Sequence, residues 1–180
     1  MRRSLTGLWL VLVVAGIMTV AGPASRRVQR AWDQRAAGIA WEENLTFGLE
    51  PSAGEPVARL QIPAVGLDTW VLGGATEERL HRFPCREQVG TSTLIMAHRD
   101  MDFRPLKGLM VGHQIAMQRP DSSVLHYRVL EVMIVGKDQV EESIWDQRNT
   151  ERLLLLTCYP FRFAGPAPER LVVLAELLES

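Results

Sequence analysis

Three stretches of this sequence place reactive side chains where an apolar run stops or starts. Ala97-His98-Arg99-Asp100 follows the compact apolar run 91–97. Leu156-Thr157-Cys158-Tyr159-Pro160-Phe161 ends the longer run 152–157, and Pro168-Glu169-Arg170-Leu171 opens the last one. A thiol at the end of a buried strand, with a proline two residues on to turn the chain away, sits on a rigid element and is presented at an edge, as a nucleophile requires. To attack a peptide carbonyl the thiol needs a neighbouring base or a lowered pKa, and histidine is the usual partner. An arginine close by can hold a substrate backbone or stabilise a tetrahedral oxyanion. A cysteine, a histidine and an arginine so placed suggest covalent acyl transfer, although spacing alone does not single it out.

The elements that would position these groups read as β-strands. Residues 57–62 alternate in polarity and stop at Pro63; 65–72 stop at Gly73-Gly74. Thr76 opens one helical turn through Leu80. Residues 91–97, 114–118 and 124–135 follow, the last with Leu125, Tyr127, Val129, Glu131, Met133 and Val135 in one register. The continuous apolar run 152–157 suits a central strand buried on both faces, and 170–176 form the final strand. Short strands separated by Gly/Pro turns predict a mainly β fold, either a closed barrel or a sandwich.

The chain has 180 residues, 47% hydrophobic and 23% charged, with net charge -1. That composition fits one folded domain plus a short appendage and gives no basic footprint for nucleic acid. Arg2 and Arg3 precede an uncharged, mostly apolar stretch, residues 5–24, long enough to cross a bilayer as a helix. The sequence therefore divides into an N-terminal membrane anchor (1–24), a juxtamembrane helix and linker (25–55) and a folded domain (56–180). A cleaved signal peptide is the other reading of the first segment; both send the domain out of the cytoplasm. Val28, Trp32, Arg35, Ala36 and Ile39 follow helical spacing, and Trp32 and Trp41 suit either a membrane interface or a plain spacer helix. In an oxidising compartment the two cysteines, Cys85 and Cys158, read by default as one disulfide.

Residues 155–161 (Leu-Leu-Thr-Cys-Tyr-Pro-Phe), with 165–173 (Gly-Pro-Ala-Pro-Glu-Arg-Leu-Val-Val) behind them, resemble the catalytic segment of sortases, most closely the class D and Gram-negative types. Residues 97–100 with Asp102-Phe103-Arg104-Pro105-Leu106-Lys107 resemble the segment that holds the family's catalytic histidine. Residues 56–63 and Gly66 resemble its first strand, so the similarity spans about 56–176. The resemblance implies a closed sortase-type β-barrel with short helices. It makes Cys158 the nucleophile, His98 the general acid/base, Arg170 the oxyanion or substrate-positioning residue, and Thr157 a residue shaping the substrate groove. Leu154 stands where the family often has Thr, and Ala97 where it usually has Gly. Segment 83–90 looks shorter than in relatives, and its Cys85 has no counterpart.

The resemblance implies no metal and no organic cofactor. The expected partner is a secreted protein with a C-terminal sorting signal; the acceptor amine is not specified. The expected place is the cytoplasmic (inner) membrane, single-pass, with the domain on the extracytoplasmic or periplasmic side. Two alternatives stay open. One is an anchored thiol endopeptidase that uses water as acceptor. The other is a non-enzymatic anchored β domain with a Cys85–Cys158 disulfide, a bond that would also lock the nucleophile of an enzyme. Cell-wall L,D-transpeptidases fit poorly, because nothing here matches their Ser/Gly-rich catalytic segment. His81, His113 and His126 read as solvated or locally bonded, Glu141-Glu142 as a solvated turn rather than part of a calcium site of the kind some sortases use, and Asp100 and Asp102 as residues fixing the loop after His98.

Overall fold

The computed structural model describes residues 28–47, 51, 54–145, 147 and 149–178. The membrane anchor expected at 1–24 lies outside them; among the described residues no helix is long and apolar enough to cross a membrane. The chain divides between Ala36 and Ala37 into two units, the second of which holds the whole sheet. Residues 28–47 are helical (α1).

Eight strands follow: β1 (Pro56–Ile62), β2 (Leu67–Gly73), β3 (Cys85–Val89), β4 (Ser92–Met96), β5 (Gln114–Gln118), β6 (Val124–Gly136), β7 (Arg152–Tyr159) and β8 (Glu169–Leu177). Two short helices interrupt them, α2 (Glu77–Leu80) and α3 (Val140–Trp145). The strands close into a barrel in the order β1-β2-β3-β4-β7-β8-β6-β5. The β2–β3 and β4–β7 pairs are parallel and the rest antiparallel. Closure removes the open edges that a sandwich of these strands would leave.

Side-chain alternation builds two layers. Ala58, Leu60 and Ile62 of β1 point inward, with Ile95 of β4, Leu153 and Leu155 of β7, and Leu171, Val173 and Ala175 of β8. The outer face of β4, β7 and β8 carries a second apolar cluster of Leu94, Leu154, Val172 and Leu174, with Ile144 of α3 packed on it. Leu153, Leu154 and Leu155 are therefore all fully buried, as the continuous apolar run predicts. Gly66, at φ +66°, takes the left-handed conformation that lets the turn Pro63–Val65 lead into β2, where a side chain would be strained.

The structure departs from the sequence reading at four places. Val124–Gly136 does not keep one register. A β-bulge between Val129 and Glu131 puts the extra residue in β6. Tyr127 and Val129 face the interior, whereas Met133 and Val135 join the outer cluster. Cys85–Val89 is a strand, paired with β2 and β4. Val140–Trp145, containing Glu141 and Glu142, is a helix rather than a turn. Trp41 is 2% exposed, with its ring 5.2 Å from that of Trp70 on β2, so it is part of the barrel's packing and not free for a membrane interface.

Candidate active site

The barrel brings the ends of β4 and β7 and the start of β8 side by side. In the parallel β4–β7 pair Met96 is level with Leu156. His98, two residues past Met96, thus stands beside Cys158, two residues past Leu156. On the other side of β7, Cys158 and Arg170 are direct antiparallel partners. Alternation along β7 puts Leu155 inside and Leu156 outside, hence Thr157 inside and Cys158 outside. Arg170, opposite Cys158, shares that outer face. The three residues singled out from sequence therefore converge on one rim, Cys158 and Arg170 on the paired strands β7 and β8 and His98 in the connection just past the end of β4.

Thr157 lies just before Cys158 on β7. It is buried, and its hydroxyl donates to the Ala97 carbonyl at 2.7 Å. The Ala97 amide in turn donates to the Leu156 carbonyl at 3.2 Å. These two bonds extend the β4–β7 pairing just past the end of β4 and fix the backbone from which His98 departs. Thr157 acts on the inner side of the sheet as a clasp, and its side chain is not on the face that carries Cys158.

Arg99 holds the other wall. Its guanidinium donates to the carbonyls of Pro160 and Phe163, each at 3.0 Å, and of Gly165 at 3.3 Å, and lies 5.9 Å from the centre of the Phe163 ring. The segment joining β7 to β8 is thereby tied to the residue next to His98. This bridge was not read from the sequence; the only signal was the His98-Arg99 pair itself. Arg170 is anchored through Nη1, which donates to the carbonyls of Ala167 and Glu169 at 3.0 and 2.8 Å. The planar guanidinium keeps further N–H donors at Nε and Nη2. Nε2 of His98 is buried and has no hydrogen-bond partner among the described residues. The ring of His81, expected to be solvated or locally bonded, stacks on that of His98 with centroids 5.0 Å apart and 27° between planes.

Both thiols are free. Cys85 lies level with Met96 across β3–β4, so β4 separates it from β7. Two strand spacings alone amount to about 9.6 Å, and Cys158 lies two residues further along. A disulfide needs Cα atoms within about 7 Å. The Cys85–Cys158 bond, and with it the redox lock, is therefore excluded in this fold. Cys85 is buried with Leu72, Phe83 and Ala37, and burial pushes its thiol up to about 11. It is a packing residue, not a second nucleophile.

Away from the rim, a cavity of about 530 Å³ is lined by Gln88, Val89 and Gly90 at the β3–β4 turn and by Lys137, Val140, Glu141 and Ile144. Val89 pairs with Ser92 at the start of β4, so this cavity lies at the far end of the outer face from His98. Between the two, Met96 and Leu156 are half-buried and Leu94 and Leu154 buried, an apolar floor of one character. Among the described residues no cluster of His, Cys, Asp and Glu has the arrangement of a metal site.

The sortase domain model matches residues 60–178. Sortase D of Bacillus subtilis (strain 168) is 27% identical over 133 residues, which cover 69% of this chain and 65% of that protein's length. The fold is similar to that of a Clostridium perfringens Sortase D5 transpeptidase, with TM-score 0.64, 18% identity, and coverage of 83% of this chain and 98% of that one. It is similar also to sortase C from Clostridium perfringens SM101, with TM-score 0.60, 21% identity, and coverage of 84% and 91%. With the family model matched across nearly the whole barrel, from β1 to the end of β8, the chain belongs to the sortase family.

Proposed function

We propose that this protein is an envelope-anchored cysteine transpeptidase that cleaves the C-terminal sorting signal of a secreted protein and transfers the new end to an amine. The observation that carries the reading is the convergence of Cys158, His98 and Arg170 on one rim, at the end of an apolar floor.

The Cys158 thiolate attacks the carbonyl carbon of the scissile peptide bond, forming a C–S bond and a tetrahedral oxyanion. Arg170 stabilises that charge through guanidinium donors not used on Ala167 and Glu169. His98, protonated on its ring, gives a proton to the leaving nitrogen as the C–N bond breaks, which leaves a thioester on Cys158. An incoming amine then attacks the thioester, His98 takes its proton, and the Cys158 thiolate is released. From Ser92 at the start of β4 to His98, two residues past its end, is six residues, about 20 Å at strand rise. An extended peptide of six or so residues fits that span, with apolar side chains toward Leu156 and Met96 and its far end toward the cavity beside α3. The apolar segment at 5–24 supports a membrane anchor; arginines flank it on both sides, Arg2 and Arg3 before and Arg26, Arg27 and Arg30 after, so the barrel is placed on the extracytoplasmic side because its secreted substrate is there and not by flanking charge.

The test is full-length protein, solubilised in detergent, with an internally quenched peptide carrying a Leu-Pro-x-Thr core, with and without an added amine. Cleavage after Thr that is lost in folded Cys158→Ala, with an amine-linked product when amine is present, supports the proposal. A product formed only with water would favour an endopeptidase. Turnover by the Cys158→Ala protein would contradict both.

A further inference from the structure

We propose that His81 is a positioning residue for the reaction, holding the His98 imidazole in its working orientation by ring stacking rather than by a hydrogen bond. The inference rests on the assignment of His98 as the acid/base above. A catalytic imidazole must be held in orientation, and in triads a third residue does this through a hydrogen bond to the ring. No described group hydrogen-bonds Nε2 of His98, although that atom is buried. What the ring does have is the face of His81, at a separation and tilt typical of offset stacking.

The fold delivers His81 there deliberately. β3 runs antiparallel to β4, with Cys85 level with Met96. The segment entering β3 therefore passes the point where the chain leaves β4 toward His98. α2 fixes that segment. Thr76 caps it by accepting from the Arg79 amide at 3.3 Å, and the Arg79 guanidinium donates to the carbonyls of Gly73 and Gly74 at the end of β2. The His81 amide donates to the Glu77 carbonyl at 3.1 Å, and Phe83, two residues on, is buried. The His81 ring itself is exposed to solvent apart from its contact with His98 and makes no hydrogen bond among the described residues. Packing of the barrel gives it no other task. An aromatic face can remain stacked on its partner through both steps of the reaction.

Two readouts separate this inference from the function it rests on. The first is kcat and KM on the quenched Leu-Pro-x-Thr peptide. His81→Ala should lower kcat about tenfold, within the loss expected when a reacting group is misplaced by about 1 Å, and leave KM and Tm unchanged. His81→Phe, which restores a ring face, should recover most of the rate. The second needs no substrate: the rate at which iodoacetamide alkylates Cys158, which depends on the thiolate that His98 supports. His81→Ala should slow alkylation toward the rate of His98→Ala, His81→Phe should not, and adding His81→Ala to His98→Ala should change nothing further, since the first acts only through the second. His81→Gln serves as a second ring-free variant should the alanine protein fold poorly. Failure of the wild-type protein to cleave the peptide would count against the function and leave the alkylation arm intact. Wild-type alkylation by both ring-free variants, or equal slowing in the presence and absence of His98, would overturn the role of His81.

Discussion

Replacing Thr157 by Val tests whether this residue serves the sheet or the substrate. The two side chains have nearly the same shape, so the change removes one hydroxyl and little else. In the structure that hydroxyl donates to the buried Ala97 carbonyl at 2.7 Å. Leaving a buried acceptor without its donor costs about 1–3 kcal/mol. For a domain of this size, with roughly 2–4 °C of Tm per kcal/mol, the expected fall is about 2–12 °C. Because Ala97 precedes His98, the lost bond also frees the backbone that carries the imidazole, and kcat should drop while KM changes little. Differential scanning calorimetry and steady-state kinetics on the same preparation read both effects. An unchanged Tm together with a raised KM and a normal kcat would refute the clasp and return Thr157 to the substrate groove.

Arg170→Lys should lower kcat/KM by about 10²–10³, since lysine keeps the charge but not the planar fork that can hold its own loop and an oxyanion together; near-native kinetics would demote Arg170 to a structural cation. Cys85, with its thiol pushed up to about 11 by burial, should resist iodoacetamide at pH 7–8 while Cys158 reacts. The sign of its effect on stability follows. The raised value favours the folded state below the unfolded thiol's ordinary range, and this contribution is lost as pH rises from about 9 through 11. Urea titrations that show no loss in Cys85-dependent stability over that window, judged against Cys85→Ala, would contradict its burial as a neutral thiol. Arg99→Ala should expose the β7–β8 connection to chymotrypsin at Phe161 and Phe163, because three carbonyls there lose their donor; equal resistance to wild type would remove Arg99 from the site's framework.

What could be read in advance follows physical lines. Continuous apolar runs and Gly/Pro stops mark β1, β2, β4, β5, β7 and β8, because burial on one or both faces leaves a direct trace in residue type. Residues 85–89 (Cys-Arg-Glu-Gln-Val) leave none: β3 is polar on one side and takes its strand form from pairing with Leu72 and Met96. The bulge in β6 is invisible for a similar reason. The alternation of Leu125 through Val135 is intact in the sequence, and only the partner strand β8 reveals that one extra residue turns Met133 and Val135 outward. At the site, Cys158, His98 and Arg170 are legible from their motifs. The inward turn of Thr157 follows from counting alternation back from Leu155, an inference the sequence permits once the barrel is known. His81 and Arg99 act through contacts across 17 residues and across more than 60, and no local pattern announces either.

A covalent intermediate at Cys158 is what the proposed chemistry most directly requires. Full-length protein mixed with the quenched Leu-Pro-x-Thr peptide, quenched in acid within the first turnovers and measured by intact mass and peptide mapping, should carry the acyl fragment on Cys158 alone, released by hydroxylamine as a thioester is, and absent from Cys158→Ala. Cleavage with no acyl adduct on Cys158, or an adduct on Cys85, would contradict it.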